Sequence, residues 1–164
     1  MKTFQETVLI DAPPHDVFMF MDDITHSGMH MSKRSMAMMG GRLNLELLSP
    51  NSTGPDVSYR WRGRAMGLPI DFTVVVTKWI EGKERIWETI GDPKVIVIGW
   101  FQMFLNLTQT DGKTSATLGI TYDQPRGLLG KLLCVLLGPW YAKWCLHSML
   151  EDAARGTSRD RANQ

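Results

Sequence analysis

The chain has 164 residues, enough for one domain with a substantial core, and its 43% apolar content is ordinary for a globular protein. Its formal net charge is +1 and its charges are dispersed, so no basic surplus argues for a nucleic-acid partner. The two cysteines, Cys134 and Cys145, fall on one predicted helix about three turns, or roughly 16 Å, apart. That is beyond disulfide reach, and neither sits in a metal-type spacing.

The N-terminal stretch "MKTFQETVLIDAPP" lacks the apolar run and small-residue cleavage site of a signal peptide, so a cytoplasmic protein is expected. "TFQETVLI" alternates and reads as a strand. "DAPPHDVFMFMDD" follows, with two prolines where a helix begins, Asp16 in its first turn, and Val17, Phe18 and Met21 on one face. Residues 23–40 read as a second short helix and a loop rich in methionine. From Arg42 the period becomes two. "RLNLELL" places Leu43, Leu45 and Leu47 on one face. "VSYRWRGRA" sets Val57, Tyr59 and Trp61 against Ser58, Arg60 and Arg62. Arg60, Arg62 and Arg64 thus share an exposed strand face, an ordinary solvated edge. "IDFTVVVTKWI", "RIWETIG", "VIVIGWFQMFLNLTQT" and "TSATLGITYD" continue the strands, with "EGKE" and "DGK" as tight turns. A helical pattern then runs from Gly127 to about Arg155.

These elements predict an α+β domain over residues 1–155, with the polar tail 156–164 expected to be disordered. A meander of about six to seven antiparallel strands has one face that needs covering. Only the C-terminal helix is long enough to cover it. A curved sheet wrapped around that helix, with two short helices after the first strand, follows.

At this point the chain resembles the START-like, or birch-pollen-allergen-like, helix-grip superfamily (SRPBCC), on its polyketide cyclase/dehydrase side. The resemblance is carried by "VLIDAPPHDVFMFMDD", "GRAMGLPIDFTVVVTKWIEGKERIWE" and "DGKTSATLGITYDQPRGLLGKLL". The order of these motifs is more specific than any one of them. The resemblance covers nearly the whole chain and implies a deep apolar cavity between the sheet and the last helix. It implies no single activity.

"GLLGKLLCVLLGPWYAKW", residues 127–144, is the most apolar stretch. Lys131, Lys143 and the Gly138-Pro139 pair interrupt it, so it is too short for a transmembrane span. Beyond Pro139, which is expected to kink or break the helix, Ala142, Leu146, Met149, Leu150 and Ala153 form one apolar face. Before Pro139 the helix is apolar almost all round and needs cover on both sides. The ordinary reading is a core helix roofed by the Met-rich segment 29–39; a dimer interface and transient membrane contact stay open as alternatives.

The catalytic inventory is thin. His26 and His30 lie four apart among several methionines, but no carboxylate or thiol completes a metal spacing, and the ordinary reading of such methionines is adaptable apolar filling. His147, near Trp144 on the last helix, is the one candidate general base; such a histidine is more often a satisfied surface residue. No nucleophile triad, phosphate loop or dinucleotide fingerprint is present, and no cofactor is expected. Aromatics are abundant, with six tryptophans. Strand parity nominates Tyr59, Trp61, Phe72, Val74, Gln102, Phe104 and Tyr122, with Leu136 and Trp140 from the helix, as residues around a hydrophobic small molecule. Each assignment depends on register. The expected function is carriage or sequestration of a lipid, isoprenoid or polyaromatic by a monomer or homodimer. A cyclase/dehydratase-like enzyme and a homodimeric interaction module are the alternatives.

Overall fold

The computed structural model describes residues 1–28, 41–65 and 67–162. The chain opens with β1 (Lys2–Ile10), α1 (Pro14–Asp22) and α2 (Ile24–Ser27). Six further strands follow: β2 (Arg42–Leu47), β3 (Ser58–Ala65), β4 (Leu68–Ile80), β5 (Glu84–Lys94), β6 (Phe101–Thr110) and β7 (Lys113–Tyr122). The final helix, α3, spans Leu128–Ala162. All seven strands form one antiparallel sheet in the order β1-β7-β6-β5-β4-β3-β2, so β1 closes against the last strand. This is the expected helix-grip architecture.

Local chemistry accounts for the elements. Pro14 occupies the first turn of α1, where a missing N–H costs nothing, and Asp16 complements the helix dipole. Asp23 caps α2: its Oδ1 accepts from the Thr25 amide (2.9 Å) and hydroxyl (2.7 Å). The β6–β7 turn is the two-residue Asp111-Gly112, both at positive φ (49° and 77°), which matches the right-handed strand twist. Two register shifts between β4 and β5, at Asp71/Thr73 and Val76/Lys78, bend the sheet. The concave face buries Tyr59, Trp61, Phe72, Val74, Val76, Trp87, Met103, Leu105, Leu118 and Ile120.

Against this face lie Ala142, Leu146, Met149, Leu150 and Ala153 of α3, all buried. Of the kink or break expected at Pro139, the break does not occur; the helix runs through. Nor does it stop at Arg155: Phe20 packs where a Gly156 side chain would stand, and Thr157 is buried with its hydroxyl donating to the Ala153 carbonyl at 2.8 Å. "VIVIGW" is also not strand. Residues 95–100 form a loop whose Val97 and Ile98 turn inward. No helix among the described residues is long and apolar enough to cross a membrane.

A buried charge pair ties these layers. Arg85 Nε lies 3.2 Å from Asp22 Oδ1, with both side chains 1% exposed. The separation gives strong attraction, although the N–H does not align as a hydrogen bond. Asp22 Oδ2 accepts from the Gly54 amide (2.9 Å) and the Trp79 indole (3.0 Å). Arg85 Nη1 donates to the Met21 carbonyl (3.0 Å), and the guanidinium lies 4.8 Å from the Trp87 ring centre. Removing one member strands a buried charge. Asp22→Ala should therefore cost about 3–5 kcal/mol in urea unfolding, whereas Asp22→Leu with Arg85→Met should recover most of it. A loss under about 1 kcal/mol for Asp22→Ala would mean the pair is not what holds α1 to the sheet.

Candidate functional site

The concave sheet, α2 and α3 border a partly open cavity with about 50 Å³ of space for water centres. Strand alternation supplies its floor: Tyr59 and Trp61 from β3, Phe72 and Val74 from β4, Trp87 from β5, Phe101 and Met103 from β6, and Ile120 from β7. Ile24, Ser27 and Gly28 line the α2 side, Val95 and Ile98 come from the β5–β6 loop, and Tyr141, Cys145 and Met149 project from α3. Gly28 is small of necessity, since a side chain there would meet Trp61 Cζ2 at 2.5 Å. Phe72 and Phe101 meet edge to face, ring centres 5.7 Å apart.

The polar groups of this wall are neutral at physiological pH. Burial pushes the Tyr59 hydroxyl up to about 12, against an opposing pull from the Arg85 charge. Burial likewise raises Tyr141, and pushes the Cys145 thiol to about 12, far from the thiolate that nucleophilic chemistry needs. No Asp, Glu, His, Lys or Arg is among the described lining residues. The arrangement can therefore enclose an apolar body and offer it hydroxyl hydrogen bonds. Among the described lining residues it offers no ionised acid or base.

Of the residues nominated from the sequence, Tyr59, Trp61, Phe72 and Val74 stand together in this wall. The others stand elsewhere. Gln102 and Phe104 have the opposite parity and lie on the convex face. Gln102 donates to Glu88 Oε2 at 2.8 Å, and the Phe104 ring covers the bare backbone of its cross-strand partner Gly119. That glycine explains how an outward phenylalanine is half-buried. Tyr122 points inward but sits beyond the cavity, stacked on Phe4 (6.2 Å) and close to Gly138. Burial raises its hydroxyl pKa, and the oxygen has no hydrogen-bond partner among the described residues. Leu136 and Trp140 face outward, 66% and 54% exposed.

His147 points out of the cavity: its Nδ1 lies 2.9 Å from Glu6 Oε1 and its Nε2 3.6 Å from Glu151. It therefore cannot serve as a base toward a molecule in the cavity. His26 stacks on Phe20 at 5.1 Å; His30 and the Met-rich segment lie outside the described residues. Arg60 pairs with Asp71 through two 2.6 Å hydrogen bonds, and this contact lowers the Asp71 pKa. Sequence reasoning missed the contributions of Trp87, Met103, Tyr141, Cys145 and Met149. Alternation in "RIWETIG" and "FQMFLNL" carries the signal for Trp87 and Met103, while helical phase past Pro139 carries it for the other three.

Comparison with known proteins places the fold. No protein-family model matches the sequence, and no curated protein matches it in sequence. Solved structures do match. TTHA0849 from Thermus thermophilus superposes with a TM-score of 0.71 at 16% identity, over 97% of this chain and 99% of that one. The Zhui aromatase/cyclase from Streptomyces sp. R1128 gives 0.67 at 11% identity, over 94% of each chain. Ara h 8.0201 gives 0.56 at 14%, over 92% of this chain and 98% of that one. The chain thus has the helix-grip fold, shared with these three solved structures, one of them an aromatase/cyclase.

His147 makes stability depend on pH. Its hydrogen bond to Glu6 raises its pKa above the ordinary value, so the folded state binds the proton more tightly. The resulting stability is complete below the unfolded histidine pKa, about 6.5, and fades as pH rises through the raised value. His147→Gln should narrow the stability gap between acidic and alkaline buffer in urea titrations. A variant that loses equal stability on both sides would show that the Glu6 contact does not couple to protonation.

Proposed function

We propose that the protein binds a hydrophobic small molecule, such as a lipid, isoprenoid or polyaromatic, in the cavity between the sheet and α3, and carries or sequesters it. The observation that carries this reading is the composition of the wall: aromatic and aliphatic side chains with a few neutral hydroxyls. An aromatase/cyclase acting by proton transfer would need a poised acid or base, and the described wall holds none. The reading therefore favours binding over catalysis.

Size sets a condition. About 10–15 Å³ of space for its centre admits one water, so a cavity with about 50 Å³ of such space takes a few waters as it stands. A larger guest has to displace side chains. Met103 and Met149 are unbranched and can yield at low cost. The aromatic walls favour a flat guest that slides between rings.

The test starts with native mass spectrometry of freshly purified protein and extraction of bound material. An apolar mass is expected. Anilinonaphthalene sulfonate and naphthalene should each alter tryptophan emission, and Trp61→Phe should reduce that change. Val74→Phe adds a ring to the cavity floor; it should abolish binding at an overpacking cost of about 1–3 kcal/mol. A folded protein with no bound mass and no response to either probe would sink the reading.

A further inference from the structure

Outward-facing positions of a helix laid on a sheet ordinarily carry polar side chains. In the first half of α3 they do not. Leu128, Leu129, Leu132, Val135, Leu136 and Trp140 are each more than half exposed, from 54% to 87%. At 3.6 residues per turn they fill one arc of about 140°. Cys134, on the opposite side, is fully buried, and Leu133 and Leu137 pack against the core. The sheet thus uses one face of this apolar segment and leaves the other outward. Six large apolar side chains in one contiguous stripe are far more than the scattered leucines of an ordinary surface.

The charges of this segment are of one sign. Between Asp123 and Glu151 there is no acidic residue, while Arg126, Lys131 and Lys143 are all cationic and exposed. Arg126 also reaches Asp92 at 3.3 Å, an exposed contact that holds it only weakly. Lys143 falls within the apolar arc just beyond Trp140, its ammonium 5.7 Å from the Phe4 ring centre, and Lys131 borders the arc. The aliphatic stems of both lysines can lie along the apolar surface while their ammonium groups reach water. Trp140, at one end of the stripe, has the amphipathic ring that favours a membrane–water boundary.

We infer that residues 128–143 of α3 dock this protein, in the plane of the interface, on an anionic lipid surface. The leucines and Trp140 enter the headgroup–acyl boundary, and Arg126, Lys131 and Lys143 meet lipid phosphates. A second copy of the chain fits less well. A two-fold pairing of this face would oppose lysines to lysines, with no acidic residue in the segment to neutralise them. This inference concerns the outer face of α3 and does not depend on what the cavity holds.

Vesicle flotation tests it. The protein should float with vesicles of mixed phosphatidylcholine and phosphatidylglycerol, less with phosphatidylcholine alone, and less at high salt. Lys131→Glu should weaken binding by about fivefold or more, the effect of one cation near an anionic surface. Leu132→Glu with Leu136→Glu should abolish it while leaving the melting temperature near that of the parent. Brominated acyl chains should quench the parent more than Trp140→Phe. Equal binding to neutral and anionic vesicles, or none to either, overturns the inference. So does light scattering that shows a dimer which the Glu pair dissociates, for then a second copy covers the face. A large fall in melting temperature for the Glu pair also overturns it, because the stripe would then be covered by its own chain.

Discussion

One buried charge pair fixes how α1 meets the sheet. Asp22 ends α1 and Arg85 opens the inward row of β5, and neither reaches solvent. Around them meet four separate segments: the α1 terminus through the Met21 carbonyl, the β2–β3 loop through Gly54, β4 through Trp79, and β5 itself. Burying two ions is costly, and an apolar pair is often equally stable. What the pair adds is geometry. An aspartate with directional partners fixes where α1 ends, and with it where α2 begins. Because α2 supplies Ile24, Ser27 and Gly28 to the cavity wall, the ion pair indirectly shapes the cavity.

The same guanidinium bears on the chemistry of the wall. It lies against the ring of Trp87, a lining residue, and its field acts on Tyr59. Burial outweighs that field, so Tyr59 stays a neutral hydrogen-bond donor. The positive charge is held against an aromatic ring and neutralised by Asp22, away from the lining. The described part of the wall therefore presents rings and hydroxyls, which suits recognition by shape and surface more than by charge.

Much of this is legible in the residues. Period-two alternation locates the strands, the two prolines locate α1, and the need to cover one sheet face assigns the role of α3. The parity of Tyr59-x-Trp61 and Phe72-x-Val74 marks four cavity residues by pattern alone. β6 misleads because Phe104 is an apolar residue on the polar parity, and its partner is the bare backbone of Gly119 on a different strand. No local pattern carries that pairing. Pro139 misleads for a related reason. An interior proline costs a helix one hydrogen bond and some strain, but α3 is held on the sheet on both sides of it, by Cys134 before and Ala142 and Leu146 after. Tertiary packing overrides the local preference. Arg85 is concealed because a lone arginine on an inward parity reads as a register error until its aspartate, 63 positions earlier in the chain, is known.

The apolar segment of α3 shows how far composition can go. An all-round apolar helix requires two apolar neighbours, and the sheet is one of them. The residues split cleanly by phase: Leu133, Cys134 and Leu137 turn inward while Leu132, Val135 and Leu136 turn outward. Protein stability alone asks only for the inward set. Outward leucines gain nothing in the isolated fold and carry an aggregation liability. The lysines stand at the border and the far end of the stripe, which keeps its leucine run continuous and its charge uniform. Both properties are irrelevant to the core and both match the outer surface of an anionic bilayer. The helix that lines the cavity through Tyr141, Cys145 and Met149 thus carries, in its earlier turns, an outward apolar face bordered by cations.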